Sequence, residues 1–324
     1  MSSPAQVAEA VTRAAQSLRD HVVRTPTVPS PWLSSATGAE VRLKLENVQH
    51  TGSFKLRGAT HALLRMPAAV RSGGVVAASS GNHGLGLAAA AQKLGVPATV
   101  YVPSTAPVPK RESIARLGAK VLVHGDDCVV TEQHARAVAT ANGRPYVSPY
   151  NDPDVIAGQG TVAVELLEQW PEVEVVYVAL GGGGLIGGMA AFARSVRPSI
   201  EWVACSPVRS RAMAECVRQG RIVEVPCQDT LSDSTAGGVE PGAITFALCQ
   251  QVVDRYLDVE EDTIRRTLLA TLEHQHLLVE GAAAVAIAGC LQDRDRRGRR
   301  AAVVVCGGNL PLHLLRRAVT ASCG

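Results

Sequence analysis

The chain has 324 residues, of which 46% are hydrophobic and 3% aromatic, so it is long enough for a large aliphatic core and two domains. Its 32 basic and 29 acidic residues give a formal net charge of +3, which argues against a nucleic-acid binder driven by phosphate neutralisation. No apolar stretch is suited to span a membrane, and the eight cysteines include no CxxC pair or zinc-type spacing, so we expect a cytoplasmic protein with reduced thiols.

The first elements lead to one unusual lysine. A helical spacing of apolar residues over 5–20 is followed by a proline-rich extended segment at 24–31 and by the alternating strand pattern "EVRLKLE" at 40–46. The next stretch, "ENVQHTGSFKLRGATHA", places Lys55 among small residues and beside an aromatic ring. A surface lysine near a loop is the ordinary interpretation, so a functional role for Lys55 needs support from the rest of the chain.

A repeating strand–helix pattern then fills most of the chain. Short apolar strands separated by helical segments are predicted at 74–79, 97–103, 119–125 and 146–150. The alternation resumes downstream, where the strands read "EVVYVAL", "EWVACSP" and "AAVVVC". This order predicts an α/β fold of open, mostly parallel sheets with helices on both faces. Ligands in such sheets bind beyond the carboxyl ends of the strands, where this chain has glycine-rich loops.

The first of these loops is "SSGNHG", Ser79 to Gly84, between a strand and a helix. Ser79, Ser80 and Asn82 can cap the helix, and the glycines let the backbone approach a ligand closely. The free N–H groups at a helix start favour an anion such as a carboxylate. An ordinary capped strand–helix turn is the alternative interpretation.

The second loop is "GGGGLIGG", Gly181 to Gly188. Four consecutive glycines are costly to order, and they are explained if backbone N–H groups surround an anion such as a phosphate. The loop also matches GxGxxG, so a dinucleotide fold is a rival. That fold expects an acidic residue at the end of the next strand, where this chain has Ser206 and Pro207.

The third loop is "CGGN", Cys306 to Asn309, after a buried strand pattern. A structural buried thiol is the alternative for Cys306, but its position at a strand end beside two glycines favours a functional role. Pyridoxal phosphate (PLP) and its amino-acid substrate use all four features together: a lysine, a carboxylate site, a phosphate site and a polar group at a third strand end.

On these residues the chain resembles the fold-type II PLP enzymes, and within them the threonine/serine dehydratase and serine racemase group. Nearly the whole chain is covered, through five ordered motifs: "ENVQHTGSFKLRGA", "SSGNHG", "NDPDVIAGQGT", "GGGGLIGG" and "CGGN". The resemblance implies a tryptophan synthase β-like architecture. A large PLP-binding domain would comprise residues 1–73 and 149–324, and a small mobile domain, residues 74–148, would close over the substrate.

The resemblance implies a role for each motif residue. Lys55 corresponds to the Schiff-base lysine, Phe54 to the residue packed beside the ring, and Asn82 to the donor to the ring's 3-oxygen. Cys306 stands where many members have a serine facing the pyridine nitrogen. The implied phosphate cradle is Gly181, Gly182, Gly183, Gly184 and Leu185. The implied substrate-carboxylate loop is Ser79, Ser80, Gly81, Asn82 and His83, in which Ser80 matches the second acid/base of some racemases.

The implied reaction is a β-elimination. Once released by substrate, Lys55 would be a neutral amine in a partly desolvated site, where burial lowers its pKa, and it would take the substrate's α-proton. Loss of the β-hydroxyl and hydrolysis would then give a 2-oxo acid and ammonia. A neutral Cys306 thiol would leave the pyridine nitrogen mostly unprotonated and favour elimination, whereas a thiolate paired with a pyridinium is the competing state.

Further expectations concern metal, regulation and assembly. Some relatives bind a divalent cation through acidic residues after the strand that reads "EWVACSP" in this chain, and Ser206 and Ala212 replace them, so we expect no metal site. Only one predicted helix follows "CGGN", so we expect no carboxyl-terminal regulatory domain. Family members are usually dimeric, which implies a homodimer. The loop "STAGGVEPGAIT" at 234–245 is expected to border the pocket.

The substrate and the balance of reactions stay open. L-Threonine, L-serine, a hydroxyaspartate, a phenylserine or a hydroxyectoine-derived amino acid would satisfy the same chemistry. Racemisation at the same site, with Ser80 as the second acid/base, is one alternative. A non-catalytic binder of a nucleotide or PLP is another, and the joint presence of Lys55 and Ser80 argues against it.

Overall fold

The computed structural model describes residues 3–320, which form two sheets covered by helices. Within that range the strands are β1 (Thr27–Pro29), β2 (Glu40–Leu45), β3 (Val75–Ala78), β4 (Ala98–Val102), β5 (Lys120–Val123), β6 (Val175–Ala179), β7 (Glu201–Pro207), β8 (Arg255–Val259) and β9 (Arg300–Val305). The α-helices are α1 (Pro4–Leu18), α2 (Pro31–Thr37), α3 (Lys55–Arg65), α4 (Ala68–Ser72), α5 (Asn82–Leu94), α6 (Val108–Arg116), α7 (Cys128–Ala141), α8 (Pro153–Gln169), α9 (Gly184–Val196), α10 (Ala212–Gln219), α11 (Ile244–Val252), α12 (Glu261–Gln275), α13 (Gly281–Gln292) and α14 (Leu312–Thr320).

The large sheet has the strand order β1-β2-β9-β6-β7-β8, in which β1 runs antiparallel to β2 and all other pairs are parallel. Every residue of β6 is buried, as expected for a central parallel strand with helices on both faces. The alanine-rich helix α13 is buried along most of its length, because it packs across β6, β7 and β9. The predicted α/β class is therefore confirmed.

The small sheet contains β3, β4 and β5 in that order, all parallel. The fourth strand predicted at 146–150 is reduced to a single bridge between Tyr146 and Val76. Prolines at 145 and 149 flank this bridge, and proline has no N–H with which to continue a ladder. The prediction of a full strand there was wrong.

Several short elements are absent from the sequence prediction, including β8 and the helices α2, α4, α10 and α11. Strand β8, "RYLDV", lies at the edge of the large sheet, and its residues are only partly buried up to Val259. There are also two 3₁₀ turns: Glu46–Val48, which directly follows β2, and Asp233–Thr235, in the connection between α10 and α11. Among residues 3–320, no helix is long and apolar enough to cross a membrane.

The order of the large sheet brings three separate motifs together. Strands β6 and β9 are parallel neighbours, so the glycine loop after β6 and Cys306 after β9 lie at the same edge. Ser53 forms a bridge with Gly307, and the backbone N–H of Phe54 donates to the Cys306 carbonyl at 3.1 Å. The start of helix α3 is thereby fixed beside that edge.

Candidate active site

Lys55 is the first residue of helix α3, and its side chain faces a cavity at the carboxyl ends of β6 and β9. Its Nζ donates to the Pro149 carbonyl at 2.8 Å and lies 5.2 Å from the centre of the Phe54 ring. Burial lowers the pKa of Lys55 to about 8, against the opposing influence of Cys306 and Glu280. Roughly a fifth of this amine is therefore neutral near physiological pH, far more than for an ordinary lysine.

A buried cluster of ion pairs fixes the first turn of helix α3, which begins at Lys55. Arg57 Nε donates to Glu46 at 2.8 Å, and its Nη1 donates to Glu165 at 2.7 Å. Lys44 Nζ reaches the other oxygen of Glu165 at 2.6 Å. Burial opposes the charge on Arg57, but Glu46 and then Glu165 raise the pKa of its guanidinium. Because each charge has a partner, the cluster fixes the helix start without leaving an uncompensated ion.

The glycine loop combines backbone freedom with close packing. Gly183 has φ +84° and caps helix α9, which begins at Gly184 and takes no side-chain cap from the described residues. A Cβ on Gly182 would lie 2.3 Å from the Tyr150 ring, and one on Gly183 would lie 2.8 Å from Cys249 Sγ. The glycines are thus needed for packing as well as for ligand approach, which the sequence prediction did not anticipate.

The loop before helix α5 differs from its prediction. Gly81 is the N-cap, and none of the side chains that the structure describes caps the helix, so the predicted caps by Ser79, Ser80 and Asn82 were wrong. The Ser79 hydroxyl instead accepts the Gly81 N–H at 3.2 Å. The first N–H groups of α5 are therefore left for another acceptor.

His83 is turned away from the cavity. Its Nε2 lies 2.9 Å from the Val147 carbonyl, and burial, followed by the charge of Lys55, lowers its pKa to about 3. The imidazole is therefore neutral, and the Nε2–H donates to that carbonyl. Through this contact the His83 imidazole links the loop to the 147–150 segment.

Cys306 directly follows strand β9 and is buried. Burial, and then the charge of Glu280, raise the pKa of its thiol well above the ordinary value. The raised pKa favours a neutral Cys306 thiol over a thiolate paired with a pyridinium.

The cavity brings together all of the residues predicted for cofactor binding. It is lined by Phe54, Lys55, Asn82, Tyr150, Ala179, Gly181, Gly182, Gly183, Gly184, Leu185, Ser234, Thr235, Glu280, Ala282 and Cys306. The other residues of the predicted carboxylate loop do not line this cavity: Ser79, Ser80, Gly81 and His83. The loop at 234–245 was expected to border the pocket, and its residues Ser234 and Thr235 do line it.

Two wall residues, Tyr150 and Glu280, were missed by the sequence reasoning. Tyr150 directly precedes the "NDPDVIAGQGT" motif, in which Asp152 caps helix α8 through the N–H groups of Asp154 and Val155. Glu280 is an isolated acidic residue before a long apolar helix, where an N-cap role is the ordinary interpretation. Only the fold reveals that both side chains face Lys55's cavity.

A second cavity lies between α5, β4 and the α6–β5 connection. It is lined by Ala88, Ala91, Gln92, Gly95, Val96, Pro97, Ala98, Leu117, Gly118 and Ala119. Among these described residues none is titratable, so the cavity offers no group for acid–base or covalent chemistry. The candidate active site is the one that contains Lys55.

The segment around the end of strand β7, where some relatives bind a divalent cation, contains few oxygen ligands. Ser206 is buried, with its hydroxyl 3.4 Å from the Leu180 carbonyl. Arg211, near the second position, pairs with Asp258 at 2.7 Å. The absence of a cation requirement stays a prediction, and activity restored by magnesium or calcium after chelation would contradict it.

Comparison with known proteins gives consistent matches along the chain. Residues 18–307 match the family model described as "Pyridoxal-phosphate dependent enzyme". The chain is 39% identical to the L-threonine ammonia-lyase of Thermotoga maritima over 96% of this chain and 77% of that protein. It superposes on the processed form of threonine deaminase isoform 2 from Solanum lycopersicum with a TM-score of 0.91 and 28% identity, covering 97% and 92% of the two chains. Maize serine racemase gives a TM-score of 0.90 and 29% identity, with 97% of both chains covered.

Proposed function

Since this chain belongs to the family of pyridoxal-phosphate dependent enzymes, we propose that it is an ammonia-lyase acting on a β-hydroxy amino acid such as L-threonine or L-serine. The products are a 2-oxo acid and ammonia. The observation that carries the proposal is the partly neutral Lys55 amine, which lies in one cavity with the glycine loop and Cys306. The names of the similar ammonia-lyase and threonine deaminase support this proposal.

The residues of the cavity fit the cofactor. A primary amine is available for covalent attachment, and the start of helix α9 offers backbone N–H groups that take no side-chain cap within residues 3–320. Cys306 offers a neutral hydrogen-bonding group at the adjacent strand end. When bound, pyridoxal phosphate supplies an electron sink that acidifies the substrate's α-hydrogen.

Lys55 holds the cofactor and then acts as the base. Its lowered pKa leaves a neutral Nζ that can accept the proton from the substrate α-carbon. The Pro149 carbonyl, which accepts a hydrogen bond from Nζ, orients the amine in the cavity. The assignment of Phe54 beside the ring agrees with its position next to Lys55 on the cavity wall.

Two helix starts would hold the anionic groups. The backbone from Gly181 to Leu185 would surround the phosphate, and the loop from Ser79 to His83 would bind the substrate carboxylate. Both helices begin at a glycine cap that leaves their first N–H groups to a ligand. Asn82, at the start of α5, would donate to the cofactor's 3-oxygen.

We also propose that residues 74–148 form a small mobile domain and that residues 1–73 and 149–324 form the large one. The separate small sheet supports this division, and positions 1–2 and 321–324 lie outside the described residues. Domain closure would bring the carboxylate loop onto the substrate. Small-angle scattering with and without a substrate analogue would measure it, and identical profiles in saturating analogue would contradict closure.

We further propose a cytoplasmic homodimer. Val48 and Leu278 are exposed apolar residues, and the side chain of Asn47, next to Val48, lies 3.5 Å from the Leu278 carbonyl, so both are candidates for an interface. Light scattering should give twice the monomer mass, and a Leu278→Asp variant should shift toward monomer. A wild-type protein that is monomeric at micromolar concentration would contradict the dimer.

The direct test incubates purified protein and pyridoxal phosphate with a panel of β-hydroxy amino acids. We expect equal amounts of 2-oxo acid and ammonia from at least one of them, and more than a thousandfold loss of this activity in Lys55→Ala. Lys93→Ala is the matched control, because Lys93 is outside the cavity and donates to the Asp20 carbonyl. A panel without any ammonia release would favour the non-catalytic binder.

Racemisation is a second candidate, supported by the likeness to maize serine racemase and by Ser80 in the carboxylate loop. Chiral analysis of unreacted serine distinguishes the two reactions. Accumulation of D-serine that is lost in Ser80→Ala, with elimination retained, would identify Ser80 as a second acid/base.

A further inference from the structure

Glu280 is a carboxylate that neither the motifs nor the proposed chemistry uses. It lies on the cavity wall and retains only 3% of its accessible surface. Asn82 Nδ2 lies 2.8 Å from Oε2 and 3.0 Å from Oε1, and the Ser234 hydroxyl donates to Oε1 at 2.9 Å. A buried carboxylate is costly unless hydrogen bonds satisfy it, so this set of donors requires an explanation.

The amide of Asn82 is held from both sides. Its nitrogen donates to Glu280, and its oxygen accepts from Asn309 Nδ2 at 2.7 Å. Asn309 is itself fixed by a 2.8 Å hydrogen bond to the Thr51 carbonyl. A rotated Asn82 amide would point oxygen at the carboxylate and nitrogen at a donor, so the two neighbours permit one orientation.

We propose that Glu280 is a positioning residue that orients the Asn82 amide for the bound cofactor and joins the small sheet to the large one. This inference deepens the proposed function and rests on it. With its amide nitrogen fixed toward the cavity wall, Asn82 keeps a second N–H for an oxygen acceptor in the cavity. Glu280 acts through Asn82 and needs no contact with the reacting atoms.

The charge state of Glu280 fits this role. Burial raises the pKa of its carboxyl above the ordinary value, and the hydrogen bonds from Asn82 and Ser234 oppose this rise without cancelling it. Every described side-chain partner of the two oxygens is a donor, an arrangement suited to the ionised, acceptor-only form. An ionised acceptor also makes each of these hydrogen bonds stronger than a neutral one.

The same contacts cross between the two sheets. Asn82 follows strand β3 of the small sheet, whereas Glu280 precedes α13 and Asn309 follows β9 of the large sheet. The Asn82 amide therefore reaches its fixed orientation only while the two sheets hold this arrangement. The Glu280 carboxylate therefore couples the orientation of the Asn82 amide to the relative position of the two sheets.

A double-mutant cycle tests the proposal. Apoprotein of wild type, Glu280→Gln, Asn82→Ala and the double variant is titrated with pyridoxal phosphate, and the apparent Kd and the visible absorption maximum are measured. We expect Glu280→Gln to weaken binding about tenfold and to shift the maximum, because a glutamine amide faces Asn82 with a donor. In the Asn82→Ala background the same change should alter Kd by less than about twofold.

An equal effect of Glu280→Gln in both backgrounds would overturn the inference, as would a wild-type spectrum and Kd in Glu280→Gln. Glu261→Gln is the matched control, because Glu261 also accepts from a hydroxyl and a backbone N–H, on Thr230 and Leu231, but lies outside the cavity walls. It should match wild type.

If circular dichroism finds Glu280→Gln unfolded, Ser234→Ala decides, since it removes only one donor to the carboxylate. We expect Ser234→Ala to weaken binding about two- to threefold with Asn82 present and to have no effect in Asn82→Ala. An effect of the same size in both backgrounds would overturn the inference. A wild-type protein that takes up no cofactor would instead contradict the proposed function.

Discussion

At the scale of single residues, Lys55 depends on its surroundings for its reactivity. Lys55 occupies the first position of α3, and its amine borders a cavity lined by the glycine loop, apolar side chains and a few polar groups. Burial therefore outweighs the influence of Cys306 and Glu280, and the pKa falls to about 8. The sequence motif identifies this residue, but only the fold explains why it is partly neutral.

The lowered pKa predicts how fast the apoenzyme takes up its cofactor. Attack on an aldehyde needs the neutral amine, so the rate should rise about tenfold per pH unit below 8 and level off above it. Stopped-flow absorbance would measure the rate. Nα-acetyl-lysine, with a pKa near ~10.4, is the control and should keep gaining rate up to about pH 10. A protein rate that follows this control would contradict the burial effect.

Cys306 predicts a cofactor spectrum that does not depend on its own ionisation. Since burial and Glu280 raise the thiol pKa well above its usual value, the group stays neutral between pH 6 and pH 9. Replacement by serine, another neutral group, should leave the pH dependence of the bound cofactor's spectrum unchanged. A spectral transition in wild type that disappears in Cys306→Ser would instead identify a thiolate paired with the pyridine nitrogen.

The motifs predicted the residues that share one cavity, because their order and spacing carry that information. They did not predict Glu280 or Tyr150, since an isolated acid and an isolated tyrosine have no distinctive pattern. Asn82 was identified, but its partners come from positions about 200 residues away in the chain. Such contacts are set by the tertiary fold alone.

At the scale of elements, the ionic cluster of Arg57, Glu46, Glu165 and Lys44 is expected to hold Lys55 in place. Arg57→Met would leave the buried Glu46 without its main partner and Glu165 with Lys44, and we expect the apoprotein to lose about 3–5 kcal/mol of unfolding free energy in urea. Arg65→Met, on the same helix, is the control. Its 3.6 Å pair with Asp154 is largely exposed, so it should cost less than about 1 kcal/mol. Equal losses in the two variants would contradict the role of the cluster.

Two ion pairs link the loop at 233–240 to helices of the small sheet. Lys110 on α6 pairs with Asp233 at 2.9 Å, and Arg136 on α7 pairs with Glu240 at 2.7 Å. Ser234 and Thr235, which lie between these anchors, line the cavity. The loop should therefore follow any movement of the small sheet.

Reversing one pair tests this coupling. We expect Lys110→Glu to raise KM for the amino acid about two- to fivefold, the range for a partly exposed ion pair, and the added change Asp233→Lys to restore it. Arg116→Glu is the control on the same helix, because Arg116 forms its ion pair with Glu112 within α6. Failure of the double reversal to restore KM would show that the pair does not transmit the effect.

Elements with strong patterns were predicted well, and weak ones were not. The buried strands β6 and β9 and the long helix α13 have continuous apolar runs. The edge strand β8 carries charges, and the 146–150 segment is interrupted by proline, so local pattern failed at both. The predicted helix caps near Gly81 were wrong, because the Ser79 hydroxyl accepts the Gly81 N–H instead and the Asn82 amide binds Glu280 across the fold.

At the scale of the whole molecule, the site exists because the large sheet makes β6 and β9 neighbours. These strands lie more than 120 residues apart in sequence, yet their carboxyl ends deliver the glycine loop and Cys306 to one edge. Helix α3 packs on α5 and on α8, so the lysine sits where the small and the large sheet meet. The α/β class was predictable from alternation, whereas the strand order was not.

The central claim is that Lys55 carries the cofactor, and one measurement tests it most directly. Protein loaded with pyridoxal phosphate is treated with borohydride, which fixes any lysine–cofactor linkage, and the digested peptides are identified by mass spectrometry. The chain's other lysines are Lys44, Lys93, Lys110 and Lys120. We predict one pyridoxyl group per chain, on the peptide that contains Lys55. A group on any of the other four instead, or no modified peptide after full loading, would contradict the account.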